Sequence, residues 1–188
     1  MIPGKHSLLA STSLALVLLA TSQPAYAEQK TRHDPAKDVY SQTDTGATQV
    51  HPRRAEADIT RVRVSYDGHT VHGTVRFREL RKRFRHHYVW VRDSQGGWEN
   101  YLDIVTSKAR PQGDNAVGVC PTAGASWHFN YATNVMTFAL TDQCVPVSDW
   151  VRLDILTYMS RDDALAWLDA AYAKGAGAGT LGPRIHAS

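Results

Sequence analysis

Residues 59–77 read ITRVRVSYDGHTVHGTVRF, and apolar and polar residues alternate on both sides of Asp67-Gly68. A period of two is typical of a strand with one buried face, and Asp-Gly between two such runs indicates a β-hairpin. A two-residue turn would place Val64 opposite Val71 and Thr60 opposite Val75, with the apolar side chains of both strands on one face.

Further short strands are predicted along the chain. Residues 87–93 and 98–106 flank the turn 94–97, residues 127–131 and 135–140 flank the turn 132–134, and 117–120 and 150–158 are single strands. Close spacing of strands without interleaved helical periods favours an all-β fold, an antiparallel β-sandwich of about 7–8 strands, with a barrel as the alternative. Apolar residues at helical spacing from Ala164 to Tyr172, behind the capping residues Ser160, Asp162 and Asp163, predict one short C-terminal helix.

The first 27 residues have the pattern of a secretory signal peptide. Lys5 precedes an apolar run at 8–20, and Ala25-Tyr26-Ala27 supplies the small residues that a signal peptidase requires, so cleavage is predicted after Ala27. The run is shorter than the ~20 residues that span a bilayer as a helix, so no membrane anchor is expected. The chain is thus predicted to have four segments: a signal peptide at 1–27, an extended polar arm at 28–57, a β-sandwich domain at 58–174 and a flexible tail at 175–188. Within the tail, residues 181–185 are apolar enough to dock on the domain.

Cys120 and Cys144 are the only two cysteines of the chain. In an exported protein such a pair most simply forms one disulfide, which closes a loop of about 24 residues. The alternative is a Cys120 thiolate nucleophile with His128 as its base.

The densest positive charge of the chain lies in RFRELRKRFRHH, residues 76–87. As a loop between two strands it could bind a polyanion such as teichoic acid, anionic lipid or nucleic acid; the other interpretation is a solvated loop without a partner. The net charge of +3, of which Lys5 is lost with the signal peptide, does not indicate a dedicated nucleic-acid-binding protein. The candidate polyanion-binding residues are Arg76, Arg78, Arg81, Lys82, Arg83 and Arg85.

Histidines do not form a metal-binding pattern, because His69 and His72 point to opposite faces of a strand and the others are dispersed. Carboxylates near the start of the domain suit calcium better than zinc, but no EF-hand spacing is present, which favours turn caps and exposed polar groups as their explanation. No metal or other cofactor is predicted. The weak calcium candidates are Asp34, Asp38 and Asp58, with Asp44 nearby.

Aromatic residues either form a sugar-binding platform or fill the core of the sandwich. Trp98 and Trp127, each at the start of a strand, are the better candidates for the surface among Trp90, Trp98, Trp127, Trp150, Tyr88 and Tyr101. Glu99 and Asp103 would lie ~13 Å apart along one strand, wider than the pair of a glycosidase. No nucleophile elbow or zinc-protease motif is present.

Several motifs together resemble small secreted proteins of unknown function from high-GC Gram-positive bacteria. The resemblance covers most of the mature chain and implies export and a disulfide-closed β-sandwich. The family brings no established activity or catalytic residues to carry over. A more distant likeness connects the first motif and the early strands to carbohydrate-binding and DOMON-like sandwich modules. The motifs are DPAKDV (34–39), ADITRVRVSYDG (57–68), TVRFREL (74–80), NYATNVMTFAL (130–140) with Cys144 after it, WVRLDIL (150–156), DDA (162–164) and LGPRI (181–185).

The sequence therefore predicts a secreted, monomeric, non-catalytic β-sandwich protein, an accessory or binding protein of the cell surface, whose basic loop could bind a cell-envelope polymer or another polyanion. Two alternatives remain: an extracellular hydrolase, and a carbohydrate-binding module that uses exposed aromatic residues. A hydrolase needs a pocket in which titratable groups converge, whereas a binding module presents a grooved or flat face of aromatic residues or arginines.

Overall fold

A computed structural model describes residues 27–43, 45–46, 48–56, 58–96, 100–115, 120–162, 165–173 and 180–188. The described residues form 13 strands and one 3-10 turn (Thr122–Gly124). The strands are β1 (Glu28–His33), β2 (Tyr40–Thr43), β3 (Thr48–Val50), β4 (Ile59–Tyr66), β5 (Val71–Phe77), β6 (Arg85–Asp93), β7 (Asn100–Thr106), β8 (Asp114–Asn115), β9 (Ala125–Asn130), β10 (Val135–Leu140), β11 (Trp150–Asp162), β12 (Leu165–Ala170) and β13 (Ile185–His186).

The strands form two antiparallel sheets that pack face to face, which confirms the predicted β-sandwich. One sheet has the order β1-β4-β5-β10-β9, and the other has the order β3-β2-β12-β11-β6-β7-β8, with β13 paired to β11. More strands are present than predicted, partly because residues of the predicted extended polar arm at 28–57 form strands. They supply β1 to the first sheet and β2 and β3 to the second, so the chain crosses between the sheets at 34–39.

Alternating residues of both sheets fill the core between them, as the period of two predicts. Val62 and Val64 from one sheet and Val89 and Leu153 from the other are almost completely buried. The register of the first hairpin differs from the predicted one, because Tyr66 rather than Val64 pairs with Val71. The turn spans 67–70, and Asp67 accepts hydrogen bonds from the backbone N–H groups of residues 69 and 70. A shift of two residues leaves the same side chains on the buried face.

The predicted C-terminal helix is wrong: residues 165–170 form β12, which pairs with β11 on one side and β2 on the other. The last four residues of β12, from Trp167 to Ala170, are all buried, because both faces of the sheet are covered here. Consecutive buried residues do not alternate in the sequence, so their spacing resembled that of a helix.

The end of the chain packs beside β11 where β12 stops. The Gly182 N–H group donates to the Leu153 carbonyl, and β13 buries Ile185. Residues 180–188 therefore pack against the second sheet. Residues 175–179 lie outside the described part of the chain.

Cys120 and Cys144 form the predicted disulfide. It joins the segment after β8 to the segment after β10, and both cysteines are buried in the main core. The alternative of a Cys120 nucleophile is thereby wrong for this state of the protein, since a disulfide sulfur is not a thiolate.

Replacing Cys144 with serine should lower the free energy of unfolding by about 2–4 kcal/mol and leave the fold intact, because the open loop gains conformational entropy in the unfolded chain. Denaturant unfolding and circular dichroism would measure the two effects.

Thiol titration of denatured, unreduced wild type should find no free sulfhydryl. Two free thiols per chain would contradict the disulfide.

Within the described part of the chain, no helix is long and apolar enough to cross a membrane. The predicted signal sequence up to residue 26 lies outside the described residues.

Candidate functional site

The basic segment 76–87 is divided by the fold, and only its middle reaches a concave surface. Arg76 is exposed on β5, Arg78 forms an ion pair with Asp58 at 2.8 Å, and the Arg85 side chain is completely buried. Arg85 therefore cannot contact a ligand, contrary to the predicted role. The reason is the alternation of β6, in which residues 85, 87, 89 and 91 all face the core.

A groove of about 1040 Å³ lies against the remaining residues of this segment. Among the described residues that line it, none is acidic. Its walls carry five cations, and its apolar surface comes from an aromatic residue of the same loop and from β11 and β12. The lining residues are Arg54, Arg81, Lys82, Arg83 and Lys108, the apolar Phe84, Met159 and Trp167, and the hydroxyl-bearing Ser107 and Ser160.

The five cations come from three separate segments that the sheets bring together. Arg54 lies between β3 and β4, residues 81–83 lie between β5 and β6, and Lys108 follows β7. The basic segment of the sequence indicates only the middle group, because Arg54 and Lys108 are not close to it in the chain. Their convergence depends on the pairing of β6 with β7 and on the crossing of the chain into β2.

Glu56 lies beside the groove and partly neutralises it. Its carboxylate is 2.9 Å from Arg81, 3.5 Å from Arg83 and 2.9 Å from the buried Arg85. Arg81 also pairs with Glu79 at 2.7 Å. The single negative charge of Glu56 is thus shared among three guanidinium groups, and the groove keeps an excess of positive charge.

The other three cations of the groove have no carboxylate within salt-bridge distance in the described part of the chain. The Arg54 guanidinium stacks on the Trp167 ring at 3.7 Å, and the Lys82 ammonium lies 5.6 Å from the Tyr131 ring centroid. Lys108 is exposed. Cations held on aromatic rings keep their charge available to an anion.

Phe84 is 52% exposed. Its ring contacts His86, from which a row of aromatic rings continues along the outer face of β6. The rings stack on one another: Tyr88 lies against His86, and Trp90 stacks on Tyr101 at 4.5 Å. Because their faces contact each other, they do not form the flat open platform on which a sugar ring stacks.

The other aromatic candidates are also engaged. Trp127 donates from its indole nitrogen to the Gln112 carbonyl, and Arg184 covers the Trp150 ring at 4.5 Å. Trp98 lies outside the described residues.

Of the two carboxylates considered for hydrolysis, Asp103 lies among the described residues. The Asp103 carboxylate accepts from the His86 side chain at 3.0 Å, and the Tyr88 hydroxyl lies 3.2 Å from the same ring nitrogen. Glu99 is outside the described residues.

The calcium candidates Asp34 and Asp38 do meet, and Asp169 of β12 joins them. One oxygen of each carboxylate lies within 4.8 Å of the others. Asp58 is close enough for its charge to raise the pKa of the other three carboxyl groups. Sequence analysis missed Asp169, because it lies in the segment predicted to be helical, and Asp44 is outside the described residues.

Comparison of the chain with protein-family models, with curated proteins and with solved structures found no match.

Proposed function

We propose that the protein is exported and binds a negatively charged envelope polymer, of the teichoic-acid type, in the basic groove. One observation carries the proposal: five cationic side chains from three distant segments converge on one groove that has no acidic residue among its described lining. The disulfide agrees with export, since such bonds persist in oxidising compartments.

The composition of the groove suits a polymer with alternating anionic and less polar units. Arginine and lysine side chains bind phosphate oxygens, while Phe84 and Met159 offer apolar contact to the backbone or sugar units between the phosphates. An isolated inorganic anion would use the cations alone and would leave the exposed Phe84 ring without a role.

The binding test compares two variants that each lose two positive charges. Lys82→Gln/Lys108→Gln removes cations from the groove, whereas Arg61→Gln/Arg76→Gln removes an exposed pair from the outer face of the first sheet. We expect the groove variant to bind teichoic acid about 10- to 30-fold more weakly, at about 1 kcal/mol per cation near an anionic surface. The control should change the affinity much less.

Affinity measured by isothermal titration should also fall steeply with added salt, because binding releases counterions. A neutral polysaccharide serves as the negative control ligand. Equal loss of affinity in both variants, or binding that salt does not affect, would contradict a specific role of the groove.

A further inference from the structure

A second site lies where the chain crosses from the first sheet to the second. Asp34 and Asp38 flank the crossing turn, and Asp169 approaches from β12. Asp34 and Asp169 are buried and Asp38 is half-buried. Three carboxylates from two distant segments thus direct oxygens to one point, with the atoms within 4.8 Å of one another.

The oxygens of this cluster lack the partners that buried carboxylates need. Asp34 is 6% exposed, and neither of its carboxylate oxygens has a hydrogen-bond partner. One buried oxygen of Asp38 and one of Asp58 are also without a partner. Buried polar atoms are nearly always satisfied, so the unpartnered oxygens of Asp34 and Asp38, with that of the neighbouring Asp58, point to a ligand at this place.

The remaining contacts hold the carboxylates in position. Asp169 accepts from the Ile59 backbone N–H, and Asp58 accepts from the Lys37 N–H at 2.9 Å and from Arg78. Lys37 has a left-handed backbone (φ 79°), which the bond to Asp58 stabilises. The turn that carries Asp34 and Asp38 is therefore fixed against the start of β4.

The surrounding charge is insufficient to neutralise the cluster. Arg78 is paired with Asp58, and Lys37 also acts mainly on Asp58. Arg32 is the cation that acts on Asp34. Burial, with the neighbouring carboxylates, raises the pKa of Asp34 to about 9 and that of Asp169 to about 8.

We propose that Asp34, Asp38 and Asp169 bind one calcium ion that fastens the crossing segment to β12. An all-carboxylate set is typical of hard cations, and zinc sites by contrast use sulfur or nitrogen ligands. The carboxylate oxygens lie within 4.8 Å of one another. Calcium–oxygen bonds are about 2.4 Å long, so two oxygens on opposite sides of one ion would be about 4.8 Å apart and adjacent oxygens would be closer. Magnesium demands a stricter octahedral geometry and keeps more water, so calcium is preferred.

The test uses the mature protein after dialysis against EDTA. Its melting temperature is measured as calcium or magnesium is added from about 10 µM to about 10 mM, which covers the affinities of sensor and extracellular sites. At a concentration of about 100 times Kd, calcium should raise the melting temperature by about 5–10 °C, and magnesium should have a smaller effect. Titration calorimetry should give one ion per chain.

Asp34→Asn should abolish the calcium-induced shift, whereas the exposed control Asp142→Asn should keep it. In EDTA, Asp34→Asn should melt no lower than wild type, because the neutral amide keeps the size of the side chain and removes one acid from a cluster of mutually repelling carboxyl groups. If that variant does not fold, Asp38→Asn provides the test instead. It changes a half-buried ligand and should weaken calcium binding by at least about 10-fold. A wild type that melts equally in calcium and EDTA, or a shift that survives in both ligand variants, would overturn the site.

Discussion

Replacing Glu56 with glutamine is expected to lower the free energy of unfolding by about 3–5 kcal/mol. The Arg85 side chain is completely buried, and its Nη2 atom lies 2.9 Å from the Glu56 carboxylate. Its Nε and Nη1 atoms have no partner among the described residues. Glutamine preserves size but removes the charge that compensates a guanidinium in the core.

Urea denaturation of three variants would measure this effect. Glu79→Gln is the control, because Glu79 pairs with the exposed Arg81 and should cost at most about 1 kcal/mol. The double variant Glu56→Gln/Arg85→Met should recover much of the lost stability, since a buried ion pair can be replaced by apolar packing at little cost. A Glu56→Gln protein as stable as Glu79→Gln would show that Arg85 does not depend on this carboxylate.

The second large effect concerns acid stability and His87. This ring lies in the core between Phe77 and Phe129, and burial, together with the charges of Arg85 and His86, lowers its pKa from 6.5 to about 3. Between these values the unfolded chain binds a proton that the folded protein does not. His87 therefore makes the protein less stable by about 1.4 kcal/mol per pH unit as the pH falls from about 6.5 to about 3.

The measurement is the difference in unfolding free energy between wild type and His87→Leu as a function of pH. Asp34, Asp38, Asp58, Asp103 and Asp169 have raised pKa values and act in the opposite direction, but they titrate in both proteins and cancel in the difference. Between pH 7 and pH 4.5, the unfolding free energy of His87→Leu should rise by about 3 kcal/mol relative to that of wild type. The same replacement at the exposed His128 should show no such trend, and a difference independent of pH would contradict the burial of a neutral His87.

Sequence patterns predicted the sandwich where one face of a strand is buried and the other is exposed. The hairpin β4–β5 and the pairs β6–β7 and β9–β10 follow directly from this alternation. The pattern failed at β12, where both faces are covered and the residues from Trp167 to Ala170 are all buried. It also failed for β1–β3, which are rich in polar residues: β1 and β3 are edge strands, and β2 lies between β3 and β12.

The residues of the basic groove and of the carboxylate cluster were only partly predictable, because alternation within a strand is visible in the sequence and contacts between distant strands are not. The alternation of Val89 and Val91, extended backwards, would have placed Arg85 and His87 on the buried face, so this signal was present in the sequence. By contrast, nothing local connects Arg54 or Lys108 to residues 81–83, or Asp169 to Asp34. These contacts arise from strand pairing across the whole chain, which composition and spacing do not determine.

The most direct test of the basic groove is to observe its lysines while an anionic polymer binds. Reductive ¹³C-methylation keeps the charge of each lysine and gives every one its own NMR signal. On addition of teichoic acid, we expect the signals of Lys82 and Lys108, which line the groove, to shift together, while those of Lys30 and Lys37 in the N-terminal segment stay in place. Shifts at Lys30 or Lys37 with none at Lys82 and Lys108 would contradict the proposed site.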